Sequence, residues 1–148
     1  MKIIKHDIWD CWNQGYTICI TTNPIINSKG KAVMGRGLAF EISQKIPTIQ
    51  KELAEKLLEF GNVPILFEQH RIITFPTKHH WREKSDLELI KKSCDHLNDL
   101  LNEYNPKKGI VFLPVPGIGN GKLDKDLVMP ILEEKFKNSK RVIIIEKE

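Results

Sequence analysis

Apolar residues follow two alternating rhythms along this chain. Short runs rich in β-branched residues predict strands at Lys2–Ile4, Tyr16–Thr22, Val63–Phe67, Arg71–Phe75, Gly109–Leu113 and Arg141–Ile145. Between them the apolar spacing lengthens to three and four. Leu38, Ala39, Ile42 and Ile46 mark one helix; Leu53, Leu57 and Leu58 mark a second, which stops at Gly61-Asn62. Leu87, Ile90, Cys94, Leu97 and Leu101 form one long helical face. The four residues before and at its start, Ser85-Asp86-Leu87-Glu88, read as a capping box, with Ser85 as the cap and Glu88 reaching back. A last helix runs from about Asp124 to Phe136, and Pro130 inside it predicts a kink or a restart, because proline removes a backbone donor.

Strands alternating with helices define an α/β class with three layers, α/β/α, and a mixed, largely parallel central sheet. Ile110-Val111-Phe112-Leu113 and Val142-Ile143-Ile144-Ile145 are continuously apolar, as strands buried on both faces should be. The chain has no internal repeat or linker, so one domain over residues 1–148 is expected.

Composition narrows the function classes. The 148 residues are 41% hydrophobic and 28% charged, an ordinary globular balance. No apolar run approaches the roughly 18–20 residues of a membrane span. The start, Met1-Lys2-Ile3-Ile4-Lys5-His6-Asp7, lacks the pattern of a secretion signal, so a cytoplasmic location is expected, without membrane contact. The net charge of +4 suits an anionic small molecule and is mild for a dedicated nucleic-acid binder. Cys11, Cys19 and Cys94 are widely spaced, with no CxxC pair, and read as buried structural thiols. No metal site and no cofactor are expected; a monomer is.

Ligands of open α/β sheets sit beyond the carboxyl ends of the strands. Four segments are expected to follow strands directly and to share that rim. They are Asn23 onward, Met34-Gly35-Arg36-Gly37, the basic loop from Pro76 through Lys78, His79 and His80, and Pro116-Gly117-Ile118-Gly119-Asn120-Gly121. The two glycine-rich ones are expected to lead into helices, where backbone N–H groups and the helix dipole favour an anion. Two such loops suggest a diphosphate. Neither matches a Walker A motif or GxGxxG, which disfavours a nucleotide kinase or a Rossmann dehydrogenase. The Asn23 amide can both donate to and accept from sugar hydroxyls, or simply close an Asx turn before Pro24.

Lys78 sits among cations in Lys78-His79-His80-Trp81-Arg82-Glu83-Lys84. A partly desolvated lysine in such company has a lowered pKa and can act as nucleophile or base. Alternatively the loop is a solvated basic strip, or His80, Trp81 and Arg82 contact nucleic acid by stacking and charge. His79 and His80 are adjacent and should point apart. Asp7 and Ile8 follow the first strand; an acid there can accept from an adenine amino group. Trp9 and Trp12 either flank that ring or pack in the core.

Taken together, Asp7-Ile8, the strand ending in Asn23, Ala32 to Ala39, Phe75-Pro76-Thr77-Lys78-His79-His80-Trp81-Arg82 and Gly117 to Leu123 resemble the macro-domain family over nearly the whole chain. The Phe-Pro-Thr-Lys phrase with His-Trp-Arg is similar to the DNA ADP-ribosyl glycohydrolase branch, related to the terminal ADP-ribose glutamate hydrolases; phage-encoded macro proteins also look like this chain. The resemblance implies that ADP-ribose is the ligand. Asp7 and Ile8 would bind adenine. Met34, Gly35, Arg36 and Gly37, with Pro116, Gly117, Ile118, Gly119, Asn120 and Gly121, would hold the diphosphate and distal ribose. Asn23 would orient that ribose, and Lys78 would attack its anomeric carbon. The chain departs from the family at Thr22-Asn23-Pro24 and Met34-Gly35-Arg36-Gly37, where many members have Asn-Ala-Ala-Asn and a triple glycine. Gly121 lacks the acid that glutamate-specific members carry nearby, and Asp124 is not expected to replace it. The resulting expectation is an ADP-ribosyl hydrolase acting on nucleic acid or protein. An ADP-ribose 1″-phosphate phosphatase and a non-catalytic ADP-ribose reader or sponge are the competing readings.

Overall fold

The computed structural model describes residues 1–148. In chain order the elements are β1 (Lys2–Lys5), α1 (Ile8–Asn13), β2 (Thr17–Thr22), α2 (Gly37–Lys45), α3 (Ile49–Phe60), β3 (Leu66–Phe67), β4 (Ile72–Pro76), α4 (Leu87–Glu103), β5 (Val111–Pro114), α5 (Lys125–Phe136) and β6 (Val142–Glu146). They form one six-stranded sheet in the order β1-β6-β5-β2-β4-β3. Five strands are parallel, and only the two-residue edge strand β3 runs antiparallel, against β4.

Period-two alternation in the strands divides the core. Ile18, Ile20, Ile72, Phe112, Ile143 and Ile145 face α1, α2 and α3, meeting Ile8, Ala39, Ile42, Ile49 and Leu53. Their neighbours Cys19, Ile73, Phe75, Val111, Leu113, Val142 and Ile144 face α4 and α5, meeting Ile90, Cys94, Leu97, Val128, Leu132 and Phe136. The inner strands are thus buried along most of their length because successive residues enter alternate layers, whereas the edge strand β1 is largely exposed. All three cysteines are buried and unbridged. Burial pushes the Cys94 thiol up to about 12, and raises that of Cys19 as well, so both are inert packing groups.

Several local expectations are corrected. Helix α1 is not evident from apolar spacing, since it has only six residues; it is started by Asp7, whose Oδ1 accepts from Trp9 N at 2.9 Å. The 63–67 run yields a strand only at Leu66–Phe67. The cap of α4 is Asp86, not Ser85: its Oδ1 accepts from Glu88 N at 3.0 Å, while the Glu88 carboxylate pairs with Lys91. Pro130 does not restart α5, which is one continuous helix. At that depth the missing donor removes a single i→i−4 bond, while Val128, Leu132 and Phe136 remain anchored in the core.

Ser85 has another task. It is buried beneath the loop that follows β5, its N–H donates to Gly121 O at 2.9 Å, and its hydroxyl has no partner. A Cβ at Gly121 would overlap Ser85 Oγ, and one at Gly117 (φ 81°) would press on Ile90 and Leu123. Gly121→Ala should therefore destabilise the fold by about 1–3 kcal/mol through overpacking, and adding Ser85→Ala should recover part of that. Urea denaturation of the two variants checks this; an undiminished midpoint in Gly121→Ala would overturn it.

Candidate functional site

The five parallel strands bring their carboxyl ends to one rim. Along it, in sheet order, lie Asp7 after β1, the end of β6, the 115–124 loop after β5, Asn23 after β2 and the 77–86 loop after β4. Four strand spacings separate β1 from β4, so Asp7 and Lys78 stand roughly 19 Å apart along the rim at ~4.8 Å per strand. The rim thus suits a long ligand with two different ends.

Met34-Gly35-Arg36-Gly37 does not follow a strand, contrary to the expectation. It ends an excursion from β2 that closes on itself through an isolated bridge between Ile26 and Ala32. Asn23 is the clasp of that excursion. Its Oδ1 accepts from Ile25 N at 3.0 Å, forming the Asx turn, and its Nδ2 donates to Val33 O at 3.1 Å. Gln50 of α3 holds the return limb, exchanging hydrogen bonds with Ala32. Met34 is buried, whereas Gly35, Arg36 and Gly37 are exposed.

Helix α2 begins at Gly37, with φ 58°, and no side chain caps it. Its first N–H groups are therefore open to an anion. The second glycine loop does not enter α5 directly. It forms a 3₁₀ turn at Gly119–Gly121, and Asp124 then caps α5, accepting from Asp126 N at 3.0 Å. Pro116, Gly117 and Gly121 are buried, Ile118 is half-buried, and Gly119 and Asn120 are exposed at the tip. A Cβ at Gly37 would lie 3.4 Å from Asn120 Nδ2, so the two loops meet there.

Lys78 joins that meeting point. Its Nζ donates to Asn120 O at 3.1 Å and to Trp81 O at 3.3 Å. Partial burial lowers its pKa from the usual lysine value, and the charges of Arg36 and Lys122 lower it further. None of these three cations forms an ion pair with an acid. Arg36, Lys78 and Lys122 thus come from three separate loops to one cationic, anion-ready corner. Lys122 was missed in the sequence, although a cation directly after a glycine loop was a visible signal. It adopts the left-handed region, φ 60°, which carries it out of the 3₁₀ turn.

The rest of the basic loop is ordered by short contacts. His79 Nε2 lies 2.7 Å from Asp86 Oδ2, and this contact holds the Asp86 carboxyl below its ordinary range. His80 Nδ1 accepts from Arg82 N at 3.1 Å, so the two histidines do point to different partners. The ring of His80 stacks tilted on Trp81 at 5.4 Å, and the Arg82 guanidinium lies 4.7 Å from the Trp81 centroid on a half-exposed ring. No cluster of three metal-ligating side chains is present. At the other end of the rim, Asp7 is exposed, Ile8 is buried, and the two tryptophans are engaged elsewhere. Trp9 Nε1 donates to Glu41 at 2.7 Å and Trp12 Nε1 to His70 O at 2.9 Å.

The fold is that of a macrodomain. It superposes on the macrodomain of Mycobacterium tuberculosis DarG with a TM-score of 0.81 at 23% identity, covering 99% of this chain and 97% of that one. It is similar also to Thermosipho africanus DarTG, solved in complex with ADP-ribose, with a TM-score of 0.77 at 21% identity over 99% of this chain and 41% of that one. In sequence it is 30% identical over 136 residues to a DNA ADP-ribosyl glycohydrolase of M. tuberculosis, an alignment taking in 84% of this chain. The chain spans only 38% of that relative's length. No family model matches the chain.

The electrostatic coupling at the corner is testable without a substrate. Lys122→Met removes one of the charges that disfavour protonated Lys78, so the Lys78 pKa should rise toward the free-lysine value. Titration of ¹³C-dimethylated lysines by NMR reads this directly. A Lys78 midpoint that stays in place would show that Lys122 is too far or too screened to matter.

Proposed function

We propose that this chain binds ADP-ribose along the strand-end rim and hydrolyses its linkage to DNA. The observation that carries the reading is Lys78: an amine with a lowered pKa, held by two carbonyl oxygens, beside an uncapped helix and without an acid partner. Burial and the neighbouring cations favour the neutral, nucleophilic amine relative to a free lysine.

On this reading Asp7 and Ile8 hold adenine at the β1 end. The α2 N-terminus, Arg36 and the Gly119-Asn120 tip take the diphosphate, and the distal ribose meets Lys78. The neutral amine forms a bond to the anomeric carbon as the bond to the base breaks. The proton lost from the alkylated amine balances the charge of the departing base. Water then releases ADP-ribose and restores the lysine. Asn23, tied down through both amide atoms, shapes the floor of the ribose end with its remaining lone pair and N–H. His80, Trp81 and Arg82 form the strip on which the nucleic-acid acceptor lies. The DNA ADP-ribosyl glycohydrolase relative supports DNA as the acceptor.

Lys78→Ala should abolish release of ADP-ribose from an ADP-ribosylated oligonucleotide while leaving ADP-ribose affinity by calorimetry nearly unchanged. Full turnover in that variant refutes the mechanism, and phosphate release from ADP-ribose 1″-phosphate would favour a phosphatase instead. Trp81→Ala should weaken the oligonucleotide substrate by about 1–3 kcal/mol, read from KM, without touching free ADP-ribose. Equal losses for both ligands would remove Trp81 from the acceptor side.

A further inference from the structure

Lys78 stands one residue beyond the last tie of β4 to the rest of the fold. Thr77 N donates to Thr22 O at 3.1 Å, and Thr77 O accepts from Asp86 N at 2.8 Å. Past that point the chain leaves the sheet. The hydrogen bond on the Lys78 main chain comes from a different part of the molecule: Asn62 Nδ2 donates to Lys78 O at 3.1 Å. Asn62 lies in the turn after α3, next to its C-cap Gly61, whose φ is 79°.

That turn does not need the Asn62 side chain. It closes through Gly61 N to Leu57 O and Val63 N to Gly61 O, both main chain. The left-handed position belongs to Gly61. Moreover, Asn62 Oδ1 is buried with no partner. The amide therefore makes a single hydrogen bond, the one its Nδ2 donates to Lys78 O. What the amide provides is a donor aimed at the peptide of Lys78.

We propose that Asn62 is a positioning residue for Lys78. Its amide fixes the peptide from which the lysine side chain springs, and so fixes where Nζ lies between Asn120 O, Trp81 O and the ligand. It touches no reacting atom and acts only through Lys78. The inference rests on the reading of Lys78 as the reacting amine, but the hold itself is measurable apart from turnover.

The test compares the wild-type chain with Asn62→Asp, isosteric but without a donor, and Asn62→Ala. Each is assayed for kcat and KM on an ADP-ribosylated oligonucleotide, for ADP-ribose affinity by calorimetry, and for the acylation rate of Lys78 by N-hydroxysuccinimidyl acetate. Mass spectrometry reads the acylation, with Lys51 and Lys91 as internal references. Both variants should lose roughly ten- to a hundredfold in kcat, the scale of a misplacement of about an ångström, with KM and ADP-ribose affinity held. The Lys78 acylation rate should change several-fold in both while the references do not. Asn62→Ala, which also removes the orphan oxygen, supplies the same reading should the buried carboxylate of Asn62→Asp unfold the chain. Wild-type kcat and wild-type Lys78 acylation in either folded variant overturn the proposal, as does a loss of ADP-ribose affinity equal to the loss of kcat. A wild-type chain without turnover defeats the hydrolase reading instead, and the acylation rates still decide whether Asn62 holds Lys78.

Discussion

Five strands running the same way are the constraint from which the rest of the molecule follows. Parallel neighbours need crossovers, the crossovers place helices on both faces, and two covered faces require inner strands that are buried along most of their length. That arrangement also leaves the polar and glycine-bearing segments at the strand ends, where they cannot be buried in a layer. Asn23, Lys78, Asn120 and Asp7 share a rim because β1, β2, β4 and β5 point the same way. Their separation in sequence has no bearing on it.

The rim differs in character along its length. Near β1 the groups are already matched: Asp7 caps α1, Trp9 bonds Glu41, and Trp12 bonds the backbone at His70. Near β4 and β5 they are not. Arg36, Lys78 and Lys122 repel one another without an acid to relieve them, and α2 starts without a cap. Electrostatic repulsion of this kind is unfavourable and is relieved by an anion. Burial, and the same repulsion after it, lowers the Lys78 pKa from the usual lysine value.

The sheet, its four longer helices and the segments of the rim are legible in the sequence because each rests on a local pattern. Val142 to Ile145 cannot be anything but a doubly buried strand in a chain of this size, and Leu87 to Leu101 repeats one helical face. What escapes is whatever depends on contacts between distant segments. Ser85 looks like a helix cap because its neighbours fit the capping pattern, yet Asp86, one residue on, has the geometry and the second partner in His79. Met34 to Gly37 look like a loop that directly follows a strand, but Asn23 and Gln50 fold that stretch back as a clasped excursion. Asn62 carries no signal beyond an ordinary Gly-Asn helix end, since its partner is the main chain of a residue sixteen positions away.

The seam between Ser85 and the loop after β5 bears on how chains of this fold are compared. Gly121 and Gly117 are glycine because α4 begins directly behind them. The occupant of position 121 is thus set by its neighbour at 85 before any ligand arrives. Among relatives, the two positions should vary as a pair: a side chain at 121 calls for a smaller residue at 85 or a displaced helix start. A missing acid at 121 is therefore first a record of internal fit. It bears on acceptor chemistry only in chains where the space behind that position is open.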